Sequence, residues 1–390
     1  MRSRLVLPVL VLIVIGIGSA IGYGKNLTHL LQLQPMPESD VTGSLRGGDF
    51  RFFWSEGYYV ARGEAVRAYN RSDIVALPPM PPVNPGSHLS LYPPVWFLLV
   101  EPFGAMDFPT AWFVWMWGSV ALYLAGVIMA FRREIYAVPL ALGFGGFWLA
   151  LDFGQNSVAL AGLYLLVLAC LPKREFLAGV LLGLAALKPH LGLPIPLWLF
   201  FRSHTMAILW AVLAIAALVA ASWLRYGPEV WHVYLGEVYR PLKRLADFES
   251  VRPERMISLY ASLRLWGAEA VTALVAQGVL ALVALGMLIA VCRRAWDPQL
   301  PMAAAVVAGL LVTPHAYGYD LALLILPILV LVRRAQKRGW EIGDFEVFLP
   351  AYGLPFFTAY VNEATHLPVV PAYLLLFLYR LRQHSLQDRD

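Results

Sequence analysis

The chain alternates between apolar runs and short polar interruptions: Leu5–Ile21, Thr110–Phe131, Ile135–Leu151, Ser157–Leu171, Phe176–Leu187, Leu191–Phe201, Met206–Trp223, Val271–Cys292, Met302–Val312, Tyr319–Val332, Val347–Tyr360 and Leu367–Leu381. Runs of this kind predict an all-α polytopic membrane protein with about 12 transmembrane or partial-span helices in one membrane-embedded domain, residues 1–390. Several runs fall short of the ~20 residues that a straight crossing needs, so partial spans belong to the expectation. Two long polar stretches stand apart, residues 24–91 and 224–265. Within the first, Phe50–Tyr69 is rich in aromatics and arginine without apolar continuity, which predicts a helix lying in the membrane surface. Leu77–Gly86 is proline-rich and reads as an extended loop. Pro93–Phe103 is too short to cross and reads as an interfacial or partly buried helix opened by Tyr92-Pro93-Pro94. No repeat of fixed period is visible.

Charge gives these runs a direction. With Arg2 and Arg4 placed in the cytoplasm and the runs alternating, Arg132 and Arg133, Lys173 and Arg174, Arg202, Arg293 and Arg294, Arg333 to Arg338, and Arg380 and Arg382 all fall inside. Among the short outside connections, near Asp152, Lys188, Pro314 and Glu363, Lys188 is the one Lys or Arg. Both termini are then cytoplasmic, both long loops external, and the expected location is the inner membrane. Leu5–Ile21 also has the outline of a signal peptide, with small residues at Gly18, Ser19 and Ala20; an uncleaved anchor is preferred because the run is long enough to span.

At 59% hydrophobic and 14% charged, the chain carries more apolar surface than a single soluble core would enclose. A net charge of +5 raises nucleic acid as a partner, but the basic residues sit in short clusters between apolar runs, and nucleic-acid binding is discarded. Cys170 and Cys292 both fall beside basic clusters on the reducing side, so no structural disulfide is expected.

The polar residues of interest gather on the external side. Asp49, Asp152, Gln155, Asn156, Lys188, His190, His315 and Asp320 all lie at ends of apolar segments there. Polar groups at membrane depth need partners, solvent or a function, the plainer reading being that they mark helix ends among lipid headgroups. Asp49, after Gly47 and Gly48, either caps a helix or takes a proton from a bound hydroxyl. Lys188-Pro189-His190 and Thr313-Pro314-His315 each end an apolar run at a proline and present a cation or imidazole, suited to an anionic phosphate; snorkelling and backbone hydrogen bonding are the alternatives. Gln155 and Asn156 either cap the next helix or bind sugar hydroxyls. Arg240, Arg244, Arg252 and Arg255 in the second long loop can clamp phosphate or form a solvated basic face. No glycine-rich nucleotide loop, metal motif or nucleophile elbow occurs, so neither a metal nor a cofactor is expected.

Gly48-Asp49-Phe50 with its aromatic sequel, Gly63 to Tyr69, Tyr92-Pro93-Pro94, Gly154-Gln155-Asn156, Lys188-Pro189, and Pro314-His315 before Tyr319 together resemble glycosyltransferase family 87, membrane mannosyltransferases of the GT-C superfamily. The resemblance spans most of the chain; beyond Val332 it amounts to little more than hydrophobicity. It implies a GT-C-type fold and transfer of mannose, with inversion, from a polyprenyl-phosphate sugar donor to a lipid or glycolipid acceptor on the outer face. The family's catalytic aspartate falls on Asp49. Lys188 and His315, with Arg252 or Arg255, become candidates for the departing phosphate, and Gln155, Asn156, His190, Asp152 and Tyr92 for sugar or acceptor. The rival classes are a transporter or flippase of a lipid-linked sugar, for which binding residues near the midplane and internal repeats are usual, and a non-catalytic envelope scaffold.

Overall fold

The computed structural model describes residues 48–77, 92–238 and 253–387; Leu5–Ile21, most of the proline-rich stretch, Arg240, Arg244 and Arg252 lie outside the described residues. Among the described residues the backbone is helical, with no strand beyond an isolated bridge between Met256 and Tyr317. The principal helices are α1 (Phe50–Ala61), α2 (Val95–Gly104), α3 (Phe108–Ala130), α4 (Gly145–Asp152), α5 (Ser157–Cys170), α6 (Glu175–Ala185), α7 (Ile195–Phe201), α8 (Thr205–Tyr226), α9 (Ala270–Arg294), α10 (Gln299–Val312), α11 (Ile325–Arg338), α12 (Asp344–Thr365) and α13 (Val369–Gln387).

Each apolar run from Thr110 onward contains a helix, and three helices, α3, α8 and α9, are long and apolar enough to cross a membrane. Local chemistry sets their ends. The Asp107 side chain accepts the Thr110 N–H at 3.1 Å to open α3, and Gly227, at φ 81°, stops α8. The shorter elements are broken where the sequence weakens helix. Ile135–Leu151 is not one span: it divides into Ala137–Leu142 and α4, because Gly143, Gly145 and Gly146 are poor helix formers. Gly146 also lies so close to the backbone of Ala322 that a Cβ there would stand 2.9 Å from its nitrogen. Leu191–Phe201 begins within a 3₁₀ turn, Pro189–Gly192, and Tyr319–Val332 within another, Gly318–Leu324.

The helix expected in the membrane surface is packed into protein along its first two turns. Every residue of α1 from Phe50 to Gly57 is buried in protein. Its aromatics point in several directions, leaving no polar face for water. Phe50 packs against Trp112 and Trp115 with ring centroids 5.4 and 5.2 Å away, and Phe53 meets Trp96 at 4.8 Å. The helix can sit this deep because Gly57 and Gly104 bring α1 and α2 into backbone contact, where a Cβ on either would overlap the other chain segment.

Around this aromatic block α3 packs on α5, α5 on α6, and α6 on α8; α10 forms the centre of the other half, contacting α9, α11 and α13 and buried from Leu300 to Leu311. Alternation of these helices sends the short basic clusters to the end opposite Gln155, Lys188 and Thr313. There Arg202 donates to the carbonyls of Cys292 and Ala295 at 3.4 and 3.0 Å, and Arg333 faces Glu134 at 3.4 Å. A buried network at the start of α12 fastens the last helices: Asp344 accepts from Arg380 at 2.8 Å and meets His384 at 2.7 Å.

Close packing at Gly57 and Gly104 makes the α1–α2 contact intolerant of volume. Gly57→Ala and Gly104→Ala are each expected to lower stability by about 1–3 kcal/mol. Gly118→Ala, on a glycine of α3 with open space around it, is expected to leave stability unchanged or slightly raised. Melting of the purified variants in detergent checks the contrast.

Candidate active site

The site grows from a turn. Gly48 takes φ 37°, and a Cβ there would stand 2.5 Å from the carbonyl oxygen of Phe153, so only glycine lets the start of α1 dock on the turn between α4 and α5. The Asp49 N–H then donates to Phe153 O at 2.8 Å. Gly154, at φ 64°, reverses the chain, and its carbonyl accepts from Trp115 Nε1 at 3.0 Å. Three consecutive residues follow, each tied to a different part of the chain. Gln155 Nε2 donates to Asp49 Oδ2, Asn156 Nδ2 to the Tyr92 hydroxyl at 3.2 Å, and Ser157 Oγ to Asp320 Oδ1 at 2.7 Å. Neither Asp49 nor Asn156 makes a side-chain capping bond to its helix, although each stands at the capping position.

Asp320 is the second centre. It is 0% exposed and Lys188 is 5% exposed, and the two meet at 2.5 Å. Asp320 also accepts the Tyr317 N–H at 3.0 Å, while Lys188 reaches Ser157 Oγ at 3.3 Å and stands 4.9 Å from the centre of the Tyr319 ring. Lys188 is carried there by the turn after α6, held down where Gly309 of α10 touches the carbonyl of Leu191. His190, two residues on, lies within electrostatic reach of Lys188, Asp320 and His315. The 313–317 turn is anchored from the second long loop: Ser258 Oγ donates to Pro314 O at 2.6 Å, and Ile257 N to Ala316 O at 2.8 Å. The Tyr260 and His315 ring centres are 6.2 Å apart.

Aromatic rings close the space between the two carboxylates. Tyr317 stacks on Tyr319 at 5.2 Å, Phe153 meets Tyr319 at 5.8 Å, and the Arg255 guanidinium stands 5.2 Å from the centre of the Phe153 ring. Burial, then the negative charge of Asp320, push the Tyr92 hydroxyl well above its ordinary value; burial, then Asp49 and Asp320, do the same for Tyr317. Both therefore stay neutral phenols, able to donate as well as accept hydrogen bonds.

Of the residues marked in the sequence, Asp49, Gln155, Asn156, Tyr92 and Lys188 fall into this one region, with His190 next to Lys188, His315 within electrostatic reach of His190, and Arg255 beside Phe153. Asp152 is half-buried at the last residue of α4, and Arg252 lies outside the described residues. Ser157, Tyr317 and Tyr319 carried no assigned role in the sequence reading, and Asp320 stood there only as a polar helix end. A signal for Asp320 existed: an acid at membrane depth needs a cation, and Lys188 was the one lysine or arginine of the short connections on its side. The pairing also changes what Lys188 offers, since its charge already answers a buried carboxylate.

A family model, "Glycosyltransferase family 87", matches residues 91–314, more than half of the chain. No curated protein and no solved structure matches it.

Removing one member of a buried ion pair strands the other. Lys188→Met is expected to lower stability by about 3–5 kcal/mol. Adding Asp320→Asn, which removes the stranded charge, keeps an acceptor for the Tyr317 N–H and can donate to the Ser157 hydroxyl, is expected to recover part of that loss. Denaturation of the single and double variants measures the difference.

Proposed function

Since the chain belongs to glycosyltransferase family 87 and is a membrane glycosyltransferase, we propose that it moves a sugar, mannose by the family resemblance, from a polyprenyl-phosphate donor to a hydroxyl of a lipid or glycolipid acceptor. The reaction is placed on the outer face of an inner membrane and inverts the anomeric carbon. Asp49 takes the proton of the acceptor hydroxyl as that oxygen attacks the anomeric carbon. The bond from that carbon to the phosphate oxygen breaks, and the lipid phosphate leaves with its electron pair. A single-displacement transfer of this kind needs one base and no covalent enzyme intermediate. The lipid-phosphate sugar is a co-substrate, and no cofactor enters the step.

The observation that carries this reading is the contrast between the site's two carboxylates. Asp320 is fully buried, and its oxygens are already taken by an ammonium, a hydroxyl and a backbone N–H. Asp49 is half-exposed beside it and is held by the neutral amide of Gln155. A carboxylate open to a ligand is better placed to act as the base than one sealed inside the protein. The leaving phosphate needs its developing charge stabilised, and His315, His190 and Arg255, with Arg252, stand as its partners. Lys188 contributes positive potential from behind Tyr319 while remaining paired. Asn156, Tyr92 and Asp152 line the sugar or acceptor side.

With purified protein, polyprenyl-phosphate mannose and a membrane lipid extract as acceptor, Asp49→Asn is expected to reduce the transfer rate about 10²- to 10⁴-fold. Donor KM should stay near that of the parent protein. A parent-like rate in the Asn protein would remove Asp49 as the base.

A further inference from the structure

The amide of Gln155 has its orientation fixed by chemistry. An ionised carboxylate only accepts hydrogen bonds, so the group facing Asp49 must be the NH₂ of Gln155, and its Oε1 must face elsewhere. That oxygen is buried and has no hydrogen-bond partner among the described residues; the residue as a whole is 5% exposed. The next residue repeats the arrangement, with Asn156 Nδ2 donating to Tyr92 and Oδ1 buried without a partner among the described residues. Two adjacent carbonyl oxygens beside the base thus need donors. A phosphate or carboxylate oxygen cannot supply them; a sugar hydroxyl can. Leaving such atoms unanswered costs stability in the free protein, and a ligand that answers them recovers it.

On the reading of Asp49 as base, we infer that Gln155 is a positioning residue with two faces: its N–H holds the Asp49 carboxylate while its carbonyl, with that of Asn156, accepts hydroxyls of the bound sugar. The sugar's hydroxyl edge therefore lies against the start of α5, and its anionic leaving group points toward the imidazoles. Binding of the correct sugar fixes the amide from one side and, through it, the base on the other.

The test compares Gln155→Met, which loses both faces, with Gln155→Glu, which keeps an acceptor and loses the N–H donor. The pH profile of kcat/KM is measured with polyprenyl-phosphate mannose and with analogues lacking single sugar hydroxyls. Loss of the N–H donor raises the pKa of Asp49, and in Gln155→Glu the second carboxylate set against it raises it further, so the acidic limb moves to higher pH by roughly one unit in Gln155→Met and by more in Gln155→Glu. One deoxy analogue is expected to lose roughly tenfold in kcat/KM with the parent protein and with Gln155→Glu, and to lose nothing further with Gln155→Met. Activity lost with the limb unmoved, or persistence in Gln155→Met of every deoxy penalty seen with the parent protein, overturns the inference. Should Gln155→Met fail to fold, Gln155→Glu with an unmoved limb is sufficient to overturn it. Failure of the base assignment is read separately, from Asp49→Asn alone.

Discussion

The buried pair of Lys188 and Asp320 is the constraint on which the arrangement of this site depends. Two opposite charges taken out of water are tolerable only together, and only where further polar groups complete their hydrogen bonding. Ser157 and the Tyr317 N–H do so here. Because those groups come from the start of α5, the turn after α6 and the turn after α10, satisfying one ion pair brings three distant stretches to one point. An apolar core can slide with little penalty; a charge pair tied to Ser157, the Tyr317 N–H and the Tyr319 ring has one register. Stability is not its main contribution, since a well-packed apolar replacement often matches a buried ion pair.

The tripeptide Gln155-Asn156-Ser157 spreads that order outward. Its side chains reach Asp49, Tyr92 and Asp320 in turn, so a single helix start serves both carboxylates. On the Asp49 side the cost of precision falls on glycine and aromatic residues. Gly48 permits the approach to Phe153, Gly57 and Gly104 let α1 sink against α2, and the rings of Phe50, Phe53, Trp96 and Trp115 fill the space around them. Tightly packed rings behind Asp49 hold the start of α1 in place, and Asp49 is the more exposed of the two acids. Asymmetry between neighbouring carboxylates is what separates a proton acceptor from a structural anion.

The sequence by itself determined the membrane character, the helical class and the alternation that puts basic clusters at one end and Asp49, Gln155, Lys188 and His315 at the other. These follow from composition, run length and charge, which are local or additive properties of the chain. What it misjudged were properties set by neighbours distant in sequence. The arginines and aromatics of Phe50–Tyr69 gave no sign of how deeply contact with α2 and α3 buries α1. Ile135–Leu151 looked continuous because hydropathy does not register glycines meeting another backbone. Only the tertiary structure decided that Lys188 is spent on Asp320, that Gln155 turns its N–H to Asp49, and that Asn156 reaches Tyr92 rather than capping its own helix. Hydrogen-bond partners are chosen by three-dimensional proximity, and no one-dimensional pattern of polar residues records which of several nearby acceptors a donor will meet.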